Sequence, residues 1–325
     1  MTLDLQKAAP LGCSVLVPAT REEWLTERQR GIGGSDAPSL LGQGYRSLLE
    51  LWCDKTGRTT APDEPNYRLS AGHALEPLVA EMAETRMGVQ LTDPGDYTIF
   101  QMAGSGTPCF ATLDRVILSD AGLIREPVEL KTSSYFMRPQ WDGEPPLYPQ
   151  LQLQWQLMVT GLQVGHIACL FGLGEDEAVY TLERNPAVID LLHDRAEKFW
   201  QCVRTDTPPE ADGTKGAERA LKLIYPRDTG RVVALADEYG ELLAARQALE
   251  AEIEQREKAL GKINNKFREA LADASWGLLP GGEKVVSWRL ETRRMPPMPA
   301  RTIQNRILRI QKRPKDLTVT EPTHE

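Results

Sequence analysis

No stretch of the chain approaches the ~20 consecutive apolar residues needed to cross a bilayer. Its 325 residues include five cysteines, Cys13, Cys53, Cys109, Cys169 and Cys202, and none of them forms a C-x-x-C pair. The first absence excludes a membrane-spanning protein. The second excludes a zinc ribbon or an iron–sulfur cluster and suits reduced thiols. Residues 1–18 lack the basic start and apolar core of a signal peptide, so the expected location is the cytoplasm. No helix-turn-helix pattern or zinc spacing supports a metal-binding regulator.

Net positive charge is also absent. The formal charge is −8, which taken as a whole argues against a nucleic-acid partner. The charge is segregated, however: between Arg289 and Lys315 nine Lys and Arg stand against the one acid Glu291, giving that segment +8 and the remainder −16. Local basic features therefore keep DNA binding open. What is present is ordinary for a soluble globular protein, 41% hydrophobic and 26% charged residues, in a length that suits one sizeable domain with an appendage or two small ones.

The chemistry concentrates in Thr112-Leu113-Asp114 and Val128-Glu129-Leu130-Lys131. Both lie in runs that read as strands, 109–118 and 127–132, and Ser119-Asp120-Ala121-Gly122 between them has hairpin-turn composition. In a strand, Glu129 and Lys131 share one face, while Val128 and Leu130 point to the other, into the core. Asp114 is then available from the neighbouring strand. Two converging carboxylates repel unless something positive lies between them, and oxygen ligands suit a hard cation such as Mg²⁺ or Mn²⁺. On these strands alone, a solvated sheet face explains the same pattern equally well.

Upstream, a short helix ends in Arg28-Gln29-Arg30-Gly31-Ile32-Gly33-Gly34-Ser35-Asp36. Ser35 or Asp36 can cap the next helix, over 37–41. A glycine-rich turn into a helix N-terminus can cradle an anion, with Arg28, Arg30 and Ser35 around it, or be a plain capped turn. Helices are expected over 47–56, stopped at Gly57, and over 67–87, with Leu75, Leu78, Val79, Met82 and Ala83 on the buried side of the latter. The segment 59–66 reads as a loop. Glu76 lies beside that apolar stripe, either as a solvated acid or as a third carboxylate. A loop over 136–147 can border a cleft. Residues 148–161 alternate like a strand, yet their length, Pro149 and the stop at Gly161 indicate a helix. On it Gln152 and Gln156 share a face and Gln154 turns elsewhere. Strands over 166–172 and 178–183 and a helix to about Val203 follow, the latter with Val188, Leu191, Leu192, Ala196 and Phe199 on its apolar side.

A Pro- and Gly-rich shift over 205–216 marks a boundary. Beyond it, 237–272 has near-heptad apolar positions and, as one helix, is about 54 Å long. It reads as an oligomerisation or partner arm. A small hairpin is expected over 276–288, followed by the basic segment as a DNA or partner contact.

Taken together, these motifs resemble the YqaJ-like viral recombinase family, the phage lambda-type exonucleases of the PD-(D/E)XK nuclease superfamily. The residues that carry the resemblance are Arg28 with Gly31 to Ala37, Glu50-Leu51-Trp52, Lys55-Thr56-Gly57, Gly72 with Glu76-Pro77, Asp114, Glu129-Leu130-Lys131-Thr132, and Gln152 with Gln154 and Val159-Thr160-Gly161. The superfamily's proline before the aspartate is replaced by Leu113. The resemblance implies an α+β fold, a restriction-endonuclease-like core with a mixed central sheet flanked by helices, to which the C-terminal helical arm and hairpin are added. It implies Mg²⁺, with Mn²⁺ as a substitute, held by Glu76, Asp114, Glu129 and the Leu130 carbonyl. Lys131 would position and activate the attacking water with support from Gln152, and Arg28 and Ser35 would grip a 5′ phosphate, with Arg30 and Gln154 also assigned to DNA.

The implied activity is digestion of the 5′-ended strand of linear double-stranded DNA, leaving 3′ overhangs for a single-strand annealing protein. The alternatives are an endonuclease on the same core and a non-cutting end-binding scaffold. The partners implied are DNA ends, the annealing protein and other copies of the chain, ring-shaped in some family members. The location is the cytoplasm of a bacterial host if the chain derives from a phage. The expected organisation is a flexible lead over 1–20, the nuclease domain over 21–204, a linker over 205–236, the arm, hairpin and basic segment over 237–315, and a disordered tail over 316–325.

Overall fold

The computed structural model describes residues 3–10, 12–58, 67–280 and 285–290. The expected loop over 59–66, the basic segment beyond Glu291 and the tail over 316–325 lie outside the described residues. The chain divides into two compact units, Met1–Pro226 and Arg227–Glu325. Among the described residues no helix is long and apolar enough to cross a membrane.

The first unit begins with a short helix, α1 (Leu5–Ala8), and a strand, β1 (Cys13–Leu16). The lead expected to be flexible over 1–20 is therefore partly built in: β1 pairs antiparallel with β2 (Ile99–Met102), placing Val15 opposite Phe100. Helix α2 (Arg21–Gln29) follows, N-capped by the Thr20 hydroxyl, and then α3 (Ala37–Leu40). Helix α4 (Leu48–Lys55) starts on a reciprocal capping box between Ser47 and Glu50 and ends at Gly57, whose φ of 69° a side chain would resist. Helix α5 (Tyr67–Met87) has the bounds its sequence implied. It buries Val79, Met82 and Ala83, but Leu78 is exposed, because the packed stripe covers its second half.

The run over 109–118 is not one strand. β3 (Phe110–Ala111) pairs with β2, whereas β4 (Arg115–Leu118) pairs antiparallel with β5 (Ile124–Ser133) in a second sheet. Residues 112–114 carry the chain from one sheet to the other. Leu113 is 2% exposed and drives into the main core, anchoring that crossing. The turn after β4 forms as expected, with Gly122 at φ 76° and its N–H donating to the Ser119 carbonyl.

Helix α6 (Leu147–Thr160) ends at Gly161 in the left-handed conformation and leads to β6 (Val164–Phe171), which pairs parallel with β5. Parallel neighbours need a crossover connection, and α6 supplies it. β7 (Asp176–Glu183) pairs antiparallel with β6 and completes a mixed sheet in the order β4-β5-β6-β7. Val128 and Leu130 face α5 together with Ala168 and Leu170; Ile167 and Cys169, the register partners of Glu129 and Lys131, face α6 together with Leu153 and Leu157. The result is the α+β arrangement expected, a mixed sheet flanked by helices.

Helix α7 (Pro186–Arg204) is capped by the Asn185 side chain and buries Ile189, Leu192, Ala196 and Phe199, while Leu191 turns to solvent. The expected linker over 205–236 contains α8 (Lys215–Ile224), which packs on α4 through Ala217 and Ala220. Arg219 pairs there with Glu50 at 2.7 Å. That docking carries the first unit on to Pro226, past the boundary suggested by the Pro and Gly content.

The second unit contains α9 (Glu238–Leu271), a single helix of 34 residues, and a hairpin of β8 (Trp276–Leu278) and β9 (Val285–Ser287). Leu271 is the buried residue of α9.

Candidate active site

Glu129 lies in the middle of β5, covered on both faces of the sheet, and is 1% exposed. A carboxylate so buried costs several kcal/mol unless it is compensated. The compensation comes from its own strand and from α6. The Lys131 ammonium and the Gln152 amide donate to Oε1, the latter at 2.5 Å, and the Gln156 amide donates to Oε2 at 2.5 Å. Lys131 also donates to Gln152 Oε1 at 3.0 Å. Gln152 and Gln156 are one helical turn apart, which is why both reach the same carboxylate.

Asp114 closes the cluster. It enters just before β4, and its Oδ2 accepts the Leu130 N–H at 2.8 Å. Burial first, and then the neighbouring Glu129 charge, push the Asp114 carboxyl well above the usual carboxylate range, against the opposing pull of Lys131 and the Leu130 N–H. Burial works against the charged form of Lys131, yet Glu129 and Asp114 outweigh it and raise that pKa. Two acids thus share one firmly protonated lysine.

Glu76, on α5, contributes to raising Asp114 but bonds His73 Nδ1 at 2.8 Å. Among the described residues no three His, Cys, Asp or Glu side chains gather closely enough to hold a metal ion. The pair of Asp114 and Glu129 is the carboxylate core of the site, and Glu76 stands apart from it.

The glycine-rich turn sits against the same helix. A Cβ at Gly34 would lie 3.6 Å from the Gln152 side chain and 3.8 Å from that of Gln156. A Cβ at Gly31 would collide with the Phe110 ring at 2.4 Å, so only glycine allows the turn to lie along β3. The Ile32 N–H bonds the Pro108 carbonyl and the Phe110 N–H bonds Ile32, fixing that approach.

Asp36 does not cap α3. It is 1% exposed, its Oδ2 accepts the Gly33 N–H at 3.0 Å and pairs with Lys55 at 2.8 Å, and its Oδ1 pairs with Arg46. Burial would raise this carboxyl, but Lys55, Arg46 and Arg28 together bring it down to about 2. The Gly33 N–H is thereby committed to Asp36 and is not free to donate elsewhere. Arg28 donates to the exposed Ser35 hydroxyl at 2.7 Å and lies over Trp24 at 4.6 Å. Arg30 is turned to the surface, where it pairs with Glu27 at 2.7 Å.

Gln154 is also placed elsewhere. It is buried, donates to the Glu183 carbonyl at 2.7 Å and accepts the Asn185 N–H at 2.8 Å, tying the end of β7 to the start of α7. The helix period places Gln156 on the face of Gln152, where a glutamine can hold a water or a DNA phosphate or meet solvent; the structure gives it to Glu129 instead, and nothing local in the sequence announces the Asp36–Lys55–Arg46 centre. Tyr148 borders the acidic centre: its ring lies 5.9 Å from Lys131 Nζ and 4.8 Å from the exposed ring of Tyr45.

An uncharacterized protein named YqaJ from Bacillus subtilis (strain 168) is 28% identical over 293 residues, covering 85% of this chain and 87% of its own. Among solved structures, an alkaline exonuclease from Laribacter hongkongensis is similar at 18% identity and a TM-score of 0.47, over 57% of this chain and 94% of that one. A phage-related exonuclease from Haemophilus somnus 129PT is similar at 12% identity and a TM-score of 0.40, over 54% and 96%. Residues 23–163, the stretch that carries both charged centres, match the model of the YqaJ-like viral recombinase domain.

Proposed function

We propose that the protein is a metal-dependent deoxyribonuclease, a 5′–3′ exonuclease that degrades the 5′-ended strand of linear duplex DNA and leaves 3′ overhangs for a single-strand annealing partner. The observation that carries this reading is the Asp114–Glu129 pair, two acids sharing one lysine in a site closed by α6. The match of the same residues to the model of the YqaJ-like viral recombinase domain supports it. On this reading the mixed sheet and its helices are a PD-(D/E)XK core.

The residues fit a hard divalent cation such as Mg²⁺, with Mn²⁺ as a substitute. Such ions are held by one or two carboxylates together with substrate phosphate, and Asp114 and Glu129 are two carboxylates brought together at Leu130 and Lys131. Asp114, Glu129 and the Leu130 carbonyl would hold it, with Glu76 as a third acid once released from His73. A bound cation of this kind supplies Lewis-acid polarisation of the phosphoryl oxygen and lowers the pKa of a water.

The chain's own groups supply the rest. Gln152 and Gln156 fix Glu129 so that it need not reorganise during reaction. Lys131, as an ammonium, orients the attacking water and offsets charge building on the phosphate. Arg28 and Ser35 receive the terminal 5′ phosphate, which sets the register of the strand.

The test is digestion of linear duplex DNA with Mg²⁺, comparing 5′-phosphate and 5′-hydroxyl ends, with Lys131→Ala and closed circular DNA as controls. Loss of the 5′-ended strand from linear DNA alone, abolished by Lys131→Ala, is the expected result. Cutting of the circle would replace this reading with an endonuclease, and end binding without cutting would replace it with a scaffold.

A further inference from the structure

Among the described residues, helix α9 leaves its apolar positions from Tyr239 to Phe267 about half exposed. From Tyr239 to Ala270, positions at alternating spacings of three and four residues form a seam of ten; eight are apolar, and Arg246 and Arg256 are the other two. That spacing is the coiled-coil repeat. Seven of the apolar ones, Tyr239 and the six from Leu242 to Phe267, are 40–60% exposed. Helices of this kind draw most of their stability from packing, so a seam exposed along four heptads calls for an occupant.

The charges on the helix identify that occupant. Its first half, 238–254, has five acids, at 238, 241, 250, 252 and 254, against Arg246. Its second half, 255–271, has five bases, at 256, 258, 262, 266 and 268, against Glu257 and Glu269. The halves therefore carry −4 and +3. A second copy laid antiparallel puts the acidic half of each helix on the basic half of the other, whereas a parallel copy opposes like charges.

The apolar seam independently gives the same register. Centring the pair between Glu254 and Gln255 brings Leu249 opposite Leu260 of the second copy and Leu242 opposite Phe267, and places Arg246 and Arg256 opposite Ile263 and Ile253. No arginine meets another. A parallel in-register pair would instead stack Arg246 on Arg246 and Arg256 on Arg256. In the single chain these arginines are already bonded along their own helix, to Glu250 and Glu252, each at 2.6 Å, which lets them lean out of the seam.

We infer that α9 pairs antiparallel with α9 of a second copy of this chain, centred at Glu254–Gln255, to form a two-stranded coiled coil. The inference does not depend on the chemistry proposed for the first unit. Sedimentation equilibrium of the full chain at micromolar concentration tests it, with Leu260→Glu as the disrupting variant. Leu260 is exposed in the single chain, so circular dichroism should report an unchanged fold for that variant. A dimer that Leu260→Glu weakens at least tenfold is expected.

Orientation is read by oxidative cross-linking. Leu249→Cys together with Leu260→Cys should yield a disulfide-linked dimer, and either substitution alone should not. A wild-type monomer, a dimer insensitive to Leu260→Glu, or a cross-link formed by Leu249→Cys alone would each overturn the inference.

Discussion

The two charged centres of the first unit use the same materials to opposite ends. At Glu129, carboxylates outnumber cations: Asp114 and Glu129 share Lys131, two glutamine amides make up the difference, and Asp114 is driven toward its neutral form. At Asp36, cations outnumber the carboxylate they surround, and that carboxyl falls to about 2. The first centre is short of positive charge; at the second, Arg46 and Lys55 are matched by Asp36 and Asp54, and Arg28 beside them bonds the neutral Ser35 hydroxyl. A phosphodiester needs both kinds of neighbour, a cation at the bond that breaks and donors at the phosphate that is gripped. The two centres are linked through α6, whose Gln152 and Gln156 hold Glu129 and lie against Gly34 of the turn that leads to Asp36.

The strongest way to break this comparison is to neutralise the acidic centre. Glu129→Gln or Asp114→Asn should lower the rate of linear DNA digestion by at least about 10²-fold, as removal of a principal electrostatic element does, while leaving end binding in place. Chelation of divalent cations should do the same to the wild type. A variant that digests at the wild-type rate would remove the centre from the chemistry.

Neutralising the other carboxylate should act on stability. Asp36→Asn strips the partner from Lys55, itself 3% exposed, and should cost about 3–5 kcal/mol in denaturant unfolding. Asp36 also sets a pH dependence. Its folded pKa lies below the unfolded 3.8, so its contribution is present above about pH 4 and is lost as the pH falls toward 2. The shift corresponds to roughly 2 kcal/mol. Wild-type stability measured across that window should show the loss, and Asp36→Asn should lack that component.

Gln154 separates support from function on the helix that serves both centres. Gln154→Ala removes the bonds to Glu183 and Asn185 and should cost about 1–3 kcal/mol of stability, with the rate at saturating DNA retained. The smallest effect concerns the ends. Arg28→Ala or Ser35→Ala should abolish faster digestion of 5′-phosphorylated over 5′-hydroxyl DNA, a difference of roughly tenfold if one charge-assisted contact is lost. A preference that survives both substitutions would place the phosphate elsewhere.

What could be read in advance followed the period of the local structure. Alternation on β5 put Glu129 and Lys131 on one face, and the four-residue spacing on α6 put Gln152 and Gln156 on another, so the acidic centre was legible once each segment had the right period. The stop at Gly161 gave the end of α6 for the same local reason. Features that depend on distant partners were not legible. Cys13–Leu16 is a strand because Ile99–Met102 lies beside it, and nothing in four residues announces that. The run over 109–118 looks continuous because both of its parts are apolar, whereas the change of sheet at 112–114 is made by neighbours. Asp36 looked like a cap because Asp before a helix usually is one; its partners Arg46 and Lys55 come from positions 10 and 19 residues further on.

The parallel pairing of β5 with β6 also sets an order of events during synthesis. Glu129 emerges from the ribosome before the glutamines that hold it, and β6, the parallel neighbour of its strand, ends only at Phe171. Until that point is reached, a nascent chain exposes its acids in water, with neither the amides of α6 nor the cover of the sheet. A partly made copy therefore lacks the assembled acidic centre, which arrives together with the completed fold.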